Sequence, residues 1–242
     1  FSGLFFAMAA INLMVLAIAF VAKEPASVVS AGRKPALGHV LRDLLQALRV
    51  PRTGWLLLFI ATYKLGESMS DVLYKPFLVD AGVAPERIGL WVGTWGMLAS
   101  LLGTVAGGAL ASRMSLLRAV GVTACLRVLP LAARAWLAAS PITETRLIGV
   151  TLSEEFFGGA LTTAVFAYMM SRVDRRVSAS HYTLLASIEV LGKLPGGPIG
   201  GLLVGKAHWS YTECFLLGAV LSVVFLSLLW PLKVDGAEHG QS

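Results

Sequence analysis

The chain is short of charge. Only 14% of its 242 residues are Asp, Glu, Lys or Arg, against 56% hydrophobic residues, and its mean hydropathy is +0.75. A water-soluble globule of this composition would lack the polar surface to cover its core, which excludes the ordinary soluble classes. Cysteine is almost absent. Cys125 and Cys214 stand alone, with no disulfide framework and no metal-ligand spacing. His39, His181, His208 and His239 are scattered over loops and the edges of apolar runs. No phosphate loop, nucleophile–base pair or metal cluster is present, so no catalytic residue, no cofactor and no metal is expected. The chain starts at Phe1, and no charged segment precedes its first apolar run, a layout unlike a signal peptide. A fragment of a longer protein is expected.

What the sequence has is long apolar runs. Seven can be drawn, near the length of a bilayer core, over residues 1–22, 53–77, 88–111, 119–139, 146–170, 179–204 and 212–230. The expected fold class is an all-α polytopic membrane protein, with the lipid bilayer as its surroundings. Most connections are short, so sequential helices pack antiparallel. The exception is residues 23–52. There ALGHVLRDLLQALRV puts Leu37, Val40, Leu41, Leu44, Leu45 and Leu48 on one helical face and His39, Arg42, Asp43, Gln46 and Arg49 on the other. That pattern predicts an amphipathic helix on the membrane surface or under the bundle, as a gate or as a plain tether.

The sequence pI of 9.6 does not point to nucleic acid, because the basic residues sit between the runs. Lys23, Arg33, Lys34, Arg42, Arg49, Arg52, Arg113, Arg118, Arg172, Arg175, Arg176 and Lys233 fall on one side; Arg87, Arg146 and Lys206 fall on the other. This bias places the linker and the C-terminus in the cytoplasm. Trp55, Trp136, Trp209 and Trp230 lie near run ends, where interfacial anchors belong.

Charge inside the runs is the anomaly. ATYKLGESMSDVLYKPF carries Lys64, Glu67, Asp71 and Lys75 within an arc of about 80° on a helix. Leu65, Gly66, Met69, Val72 and Leu73 take the other side. Such a stripe must face protein or water, never lipid. It reads as a cavity wall, or as an ion-pair ladder of Lys64 with Glu67 and Asp71 with Lys75, and the two are compatible. TLSEEFFGGALTT places Glu154 and Glu155 at mid-run beside Thr151, Gly158 and Thr162. SIEVLGKLPGG sets Glu189 and Lys193 one turn apart, and Arg127 and Arg134 share a face of ACLRVLPLAARAW. Adjacent acids in low dielectric resist ionising together, which marks Glu154 or Glu155 as a candidate proton carrier. The alternative is a static bridge from one of them to Arg127 or Arg134. Candidate substrate-binding residues are therefore Lys64, Glu67, Asp71 and Lys193, and candidate proton-coupling residues are Glu154, Glu155 and Glu189. Gly192, Gly196, Gly197, Gly200, Gly201 and Gly205, with Pro195 and Pro198, predict close helix packing and a bend.

One run, a long basic linker, then six runs: the layout resembles the second part of a major facilitator superfamily transporter. In GGALASRMS, Gly108 and Arg113 match the superfamily's loop signature, but Ser112 stands where it has an acid. YKLGESMSDVLYKPFLVDAGVAPERIGLWVGTWGMLASLLGTVAGGAL and HYTLLASIEVLGKLPGGPIGG resemble the branch of acetyl-coenzyme A transporters and bacterial muropeptide permeases, and an orphan vertebrate member in particular. The resemblance implies a sixth helix over 1–22, a cytoplasmic linker with its amphipathic helix over 23–52, a C-terminal six-helix half over 53–231 and a cytoplasmic tail over 232–242. It also implies an N-terminal six-helix half as a partner. The implied function is secondary active transport, by alternating access and coupled to protons, of a small anionic solute such as acetyl-coenzyme A. Lys64, in the matching Tyr-Lys-Leu-Gly segment, is implied as a contact to substrate or proton site, and Lys75, Arg127, Arg134 and Lys193 would add positive field. The alternatives are a transporter of the same fold for a peptide, a muropeptide-like solute or a nucleotide sugar, and a non-transporting scaffold or sensor.

Overall fold

The computed structural model describes residues 9–10, 12–14, 16–17, 53–173 and 178–229. The chain divides into two compact units, Phe1–His39 and Val40–Ser242. In the first, the described residues are helical. The amphipathic linker helix, the 232–242 tail, Arg175, Arg176 and Trp230 lie outside the described residues.

The second unit is all helix among the described residues, as the apolar runs predict. Thr53–Thr62 forms α1 and Leu65–Asp80 forms α2. Pro85–Ile88 (α3), a π-helical stretch over Gly89–Trp95 and Gly96–Arg113 (α4) follow one another without a break. Leu116–Ala138 is α5, Glu144–Ser171 α6, Ser178–Lys193 α7, Gly196–Gly205 α8 and Tyr211–Leu226 α9. Two stretches, Pro85–Arg113 of 29 residues and Leu116–Ala138 of 23, are long and apolar enough to cross a membrane. α6 is as long, at 28 residues, but carries Glu154 and Glu155 at its middle.

Two of the expected single helices are interrupted. The 53–77 run breaks at Tyr63–Lys64, where Lys64 caps α2 in a helical conformation without a side-chain bond. One main-chain bond closes each side of the break: Tyr63 N donates to the Phe59 oxygen at 2.9 Å and Ser68 N to the Lys64 oxygen at 2.8 Å. The 179–204 run breaks at Leu194–Pro195, where proline has no N–H to continue the ladder. The two interruptions face each other, because α1 packs on α7 and α2 on α8. Glycine permits the contact. A Cβ at Gly192 would overlap the Ala61 carbonyl oxygen, and one at Gly196 would sit 2.8 Å from Met69 N. Gly201 and Gly205 face open space instead, so only part of the glycine pattern serves close packing.

α6 is the central helix, flanked by α4 and α5, while α9 lies against α5 and α2. The buried apolar side chains form two cores. One gathers Leu56, Phe59, Ile60, Tyr63, Val120 and Leu161. The other gathers Leu73, Tyr74, Phe77, Leu137, Val150 and Phe215. Along α2, α5 and α6 the charged residues fall between these two cores in the chain.

Candidate functional site

Between the cores, three helices, α2, α5 and α6, bring their charged side chains together. Arg127 and Arg134 both project from α5 and are buried, with 3% and 2% of their surface exposed. Each grips Glu154 of α6, Arg127 at one carboxylate oxygen and Arg134 at the other. Arg127 also donates to the Glu154 main-chain oxygen. The same two arginines reach α2. Arg127 Nη2 lies 3.2 Å from Glu67 Oε1, and Arg134 Nη1 lies 2.6 Å from Asp71 Oδ1. A cation in low dielectric needs this many acceptors, since leaving it unpaired costs several kcal/mol, about 3–5. Gly158 makes room for it: a Cβ there would come within 2.9 Å of Arg127 Nη1. The Arg134 guanidinium also lies over the Tyr74 ring, 4.4 Å from its centroid, and Tyr74 shares a 2.7 Å hydrogen bond with Thr151.

A second group sits at the helix interruptions. Glu189 of α7 is 2% exposed. Lys64 Nζ lies 3.3 Å from its Oε1, Lys193 Nζ 3.7 Å from its Oε2, and the Tyr63 hydroxyl donates to Oε1 at 3.5 Å. Two lysines on one carboxylate leave this group with an excess positive charge. The larger group has three acids on two arginines, an excess negative charge.

The in-helix ladder is thus corrected. Lys64 pairs with Glu189, not Glu67, and Asp71 pairs with Arg134, not Lys75. The reason is the break at Tyr63–Lys64, which takes Lys64 out of the regular turn above Glu67, together with the arginines that α5 delivers. Lys75 is exposed and has no ion pair among the described residues. The static bridge expected for one of the two adjacent acids falls to Glu154. Glu155 is half-buried, makes no hydrogen bond or ion pair among the described residues and packs near Gly96. Glu67 and Arg127 border a cavity of about 20 Å³, the room of one water, with Tyr63 and Ser222. Only the Lys64–Glu67 end of the stripe is closed in between helices in this conformation; Asp71 and Lys75 are exposed. Tyr63, which opens the Tyr-Lys-Leu-Gly segment, and Tyr74, which lies under Arg134, carry no charge to mark them as members of the site in the sequence. Ser112, at the acid's place in the loop signature, donates to the Ala109 oxygen at 2.9 Å. No group of three or more acids, histidines or cysteines that could hold a metal occurs among the described residues.

No family model matches the chain. It is 29% identical over 234 residues to the anhydromuropeptide permease of Escherichia coli strain K12, covering 94% of this chain and 46% of that protein. A Haemophilus influenzae protein without an assigned function is 28% identical over 227 residues, 89% of this chain and 53% of its own. A Rickettsia conorii protein named for AmpG-type transport is 26% identical over 181 residues, 74% of this chain and 44% of its own. The chain therefore spans about half the length of these curated relatives.

Proposed function

We propose that this chain forms the C-terminal half of a secondary transporter that moves a small solute by alternating access. The observation that carries the reading is the meeting of two interrupted helices at Lys64, Glu189 and Lys193. Interrupted helices at mid-bundle are how transporters of this kind expose polar groups to a solute. A scaffold would have no need of buried charge at that level. The similarity to an anhydromuropeptide permease favours a muropeptide-like solute over acetyl-coenzyme A. Such a solute carries carboxylates, and the excess positive charge at Lys64 and Lys193 suits one.

In this reading Lys64 and Lys193 bind the solute's anionic group, displacing Glu189. Glu67 and Asp71 hold the arginines. Glu155, without a hydrogen bond or ion pair among the described residues, carries the coupling proton, while Glu154 holds Arg127 and Arg134 in place. The N-terminal half supplies the opposite wall, and the linker side is cytoplasmic. The test is uptake of a labelled anhydromuropeptide by cells that make the full protein and lack other such permeases. Saturable uptake abolished by Lys64→Ala is expected. Uptake of acetyl-coenzyme A or a nucleotide sugar instead would replace the solute but keep the transporter. No uptake of any solute would leave the scaffold reading.

A further inference from the structure

A second feature lies away from the charge cluster. At the end of the bundle where α4 passes to α5, and where α6 and α9 finish, the helices border a groove of about 1120 Å³. Leu116, Leu117, Val122, Leu226 and Leu229 give it apolar walls. Arg118 and Arg172 line it too, and no acid is among the described residues that do. Both arginines are exposed, and neither forms an ion pair among the described residues. The Arg172 guanidinium stands 5.2 Å from the Tyr168 ring centroid, a contact that steadies it at the groove. Ser115, Ser171 and Ser227 add hydroxyls.

We propose that this groove holds an anionic phospholipid, with its phosphate at Arg118 and Arg172 and an acyl chain along the leucines. Three things select this occupant. The charge is of one sign, so the headgroup is an anion. The walls are apolar and the volume is large, so a free phosphate would leave most of the groove unfilled. The groove lies at a helix end of an apolar bundle, on the side richer in Lys and Arg, where basic pockets between helices meet anionic headgroups. The chain's own 23–52 segment suits it poorly. That segment has six basic residues against Glu24 and Asp43, and like charges would face Arg118 and Arg172. Bound there, the lipid would tie the ends of α5, α6 and α9 together. The proposal stands apart from the transport reading and survives its failure.

The full chain, purified in neutral detergent, is titrated with phosphatidylglycerol or phosphatidylcholine and read by native mass spectrometry. Phosphatidylglycerol should bind about tenfold more tightly, and the Arg118→Gln/Arg172→Gln variant should lose that preference. The single variants Arg118→Gln and Arg172→Gln should each lose part of it, which keeps the test open if the double variant fails to fold. Arg146→Gln, at the opposite end, should bind like the parent. Equal binding of the two lipids, or an unchanged preference in all the groove variants, would overturn the proposal. So would a preference that emerges only when residues 232–242 are deleted, since Asp235 and Glu238 of that tail would then be the occupant.

Discussion

Ser68 Oγ donates a 2.8 Å hydrogen bond to the Lys193 main-chain oxygen, joining the first turn of α2 to the last residue of α7. The carbonyl it satisfies is one that the break at Leu194–Pro195 leaves without a helical partner. Ser68→Ala should cost about 1 kcal/mol of stability, read as a lower melting temperature in detergent. Ser68→Thr, which keeps the hydroxyl, should recover part of it. No change in Ser68→Ala would mean that the two interruptions are held by packing alone.

Glycine substitutions should divide sharply. Gly192→Ala drives a Cβ into the Ala61 carbonyl, a main-chain atom that cannot step aside. Overpacking of this kind costs about 1–3 kcal/mol. Gly201→Ala meets nothing within 4 Å and gains helix propensity, so it should be neutral or stabilising by up to about 1 kcal/mol. Thermal melts of the two variants side by side check the contrast. Equal melting temperatures would contradict the close approach of α7 to α1.

Ion pairs should differ by their surroundings. Arg134→Met leaves the buried Glu154 with Arg127 alone and Asp71 without its partner, a loss of about 3–5 kcal/mol. Arg87 lies 3.3 Å from Glu144, but both are well exposed, 60% and 48% by side chain. Arg87→Gln should therefore cost less than about 1 kcal/mol. Expression level and melting temperature separate them; similar values would show that water reaches the inner pairs.

The two adjacent acids should separate in the same assays. Glu154→Gln weakens two arginine contacts at once and should lower the melting temperature. Glu155→Gln should leave it unchanged, and, on the transport reading, should flatten the dependence of uptake on the pH gradient. Uptake by Glu155→Gln that follows the gradient as the parent does would remove Glu155 as the proton carrier.

The positions of the helices were legible because composition alone sets them: a run of Leu, Val, Ile and Phe of bilayer length has few other fates. The bend at Pro195 was legible for a local reason, its missing N–H. The static bridge to Glu154 was also visible as an alternative, since Arg127 and Arg134 share a face. Other features were hidden. Nothing in Ala61–Leu65 forbids a helix, so no local propensity marks the break at Tyr63–Lys64; it lies beside the close approach of Gly192 to the Ala61 carbonyl. Lys64 meets Glu189 across 125 positions of sequence, and no spacing rule reaches that far. In-helix neighbours are the pairs a sequence displays, and here the arginines of α5 outbid them.

The two apolar cores, with charge between them, give the bundle a layered mechanical character. Each core is held by close contact that resists sliding. The layer between is held by ions that have more than one partner within reach, and two helices lack a continuous backbone ladder there. A load that tilts one end of the bundle against the other meets two stiff blocks joined by a compliant waist. Such a load would bend the α1–α2 and α7–α8 pairs first at Lys64 and Pro195, while α5 and α6 run through the layer unbroken.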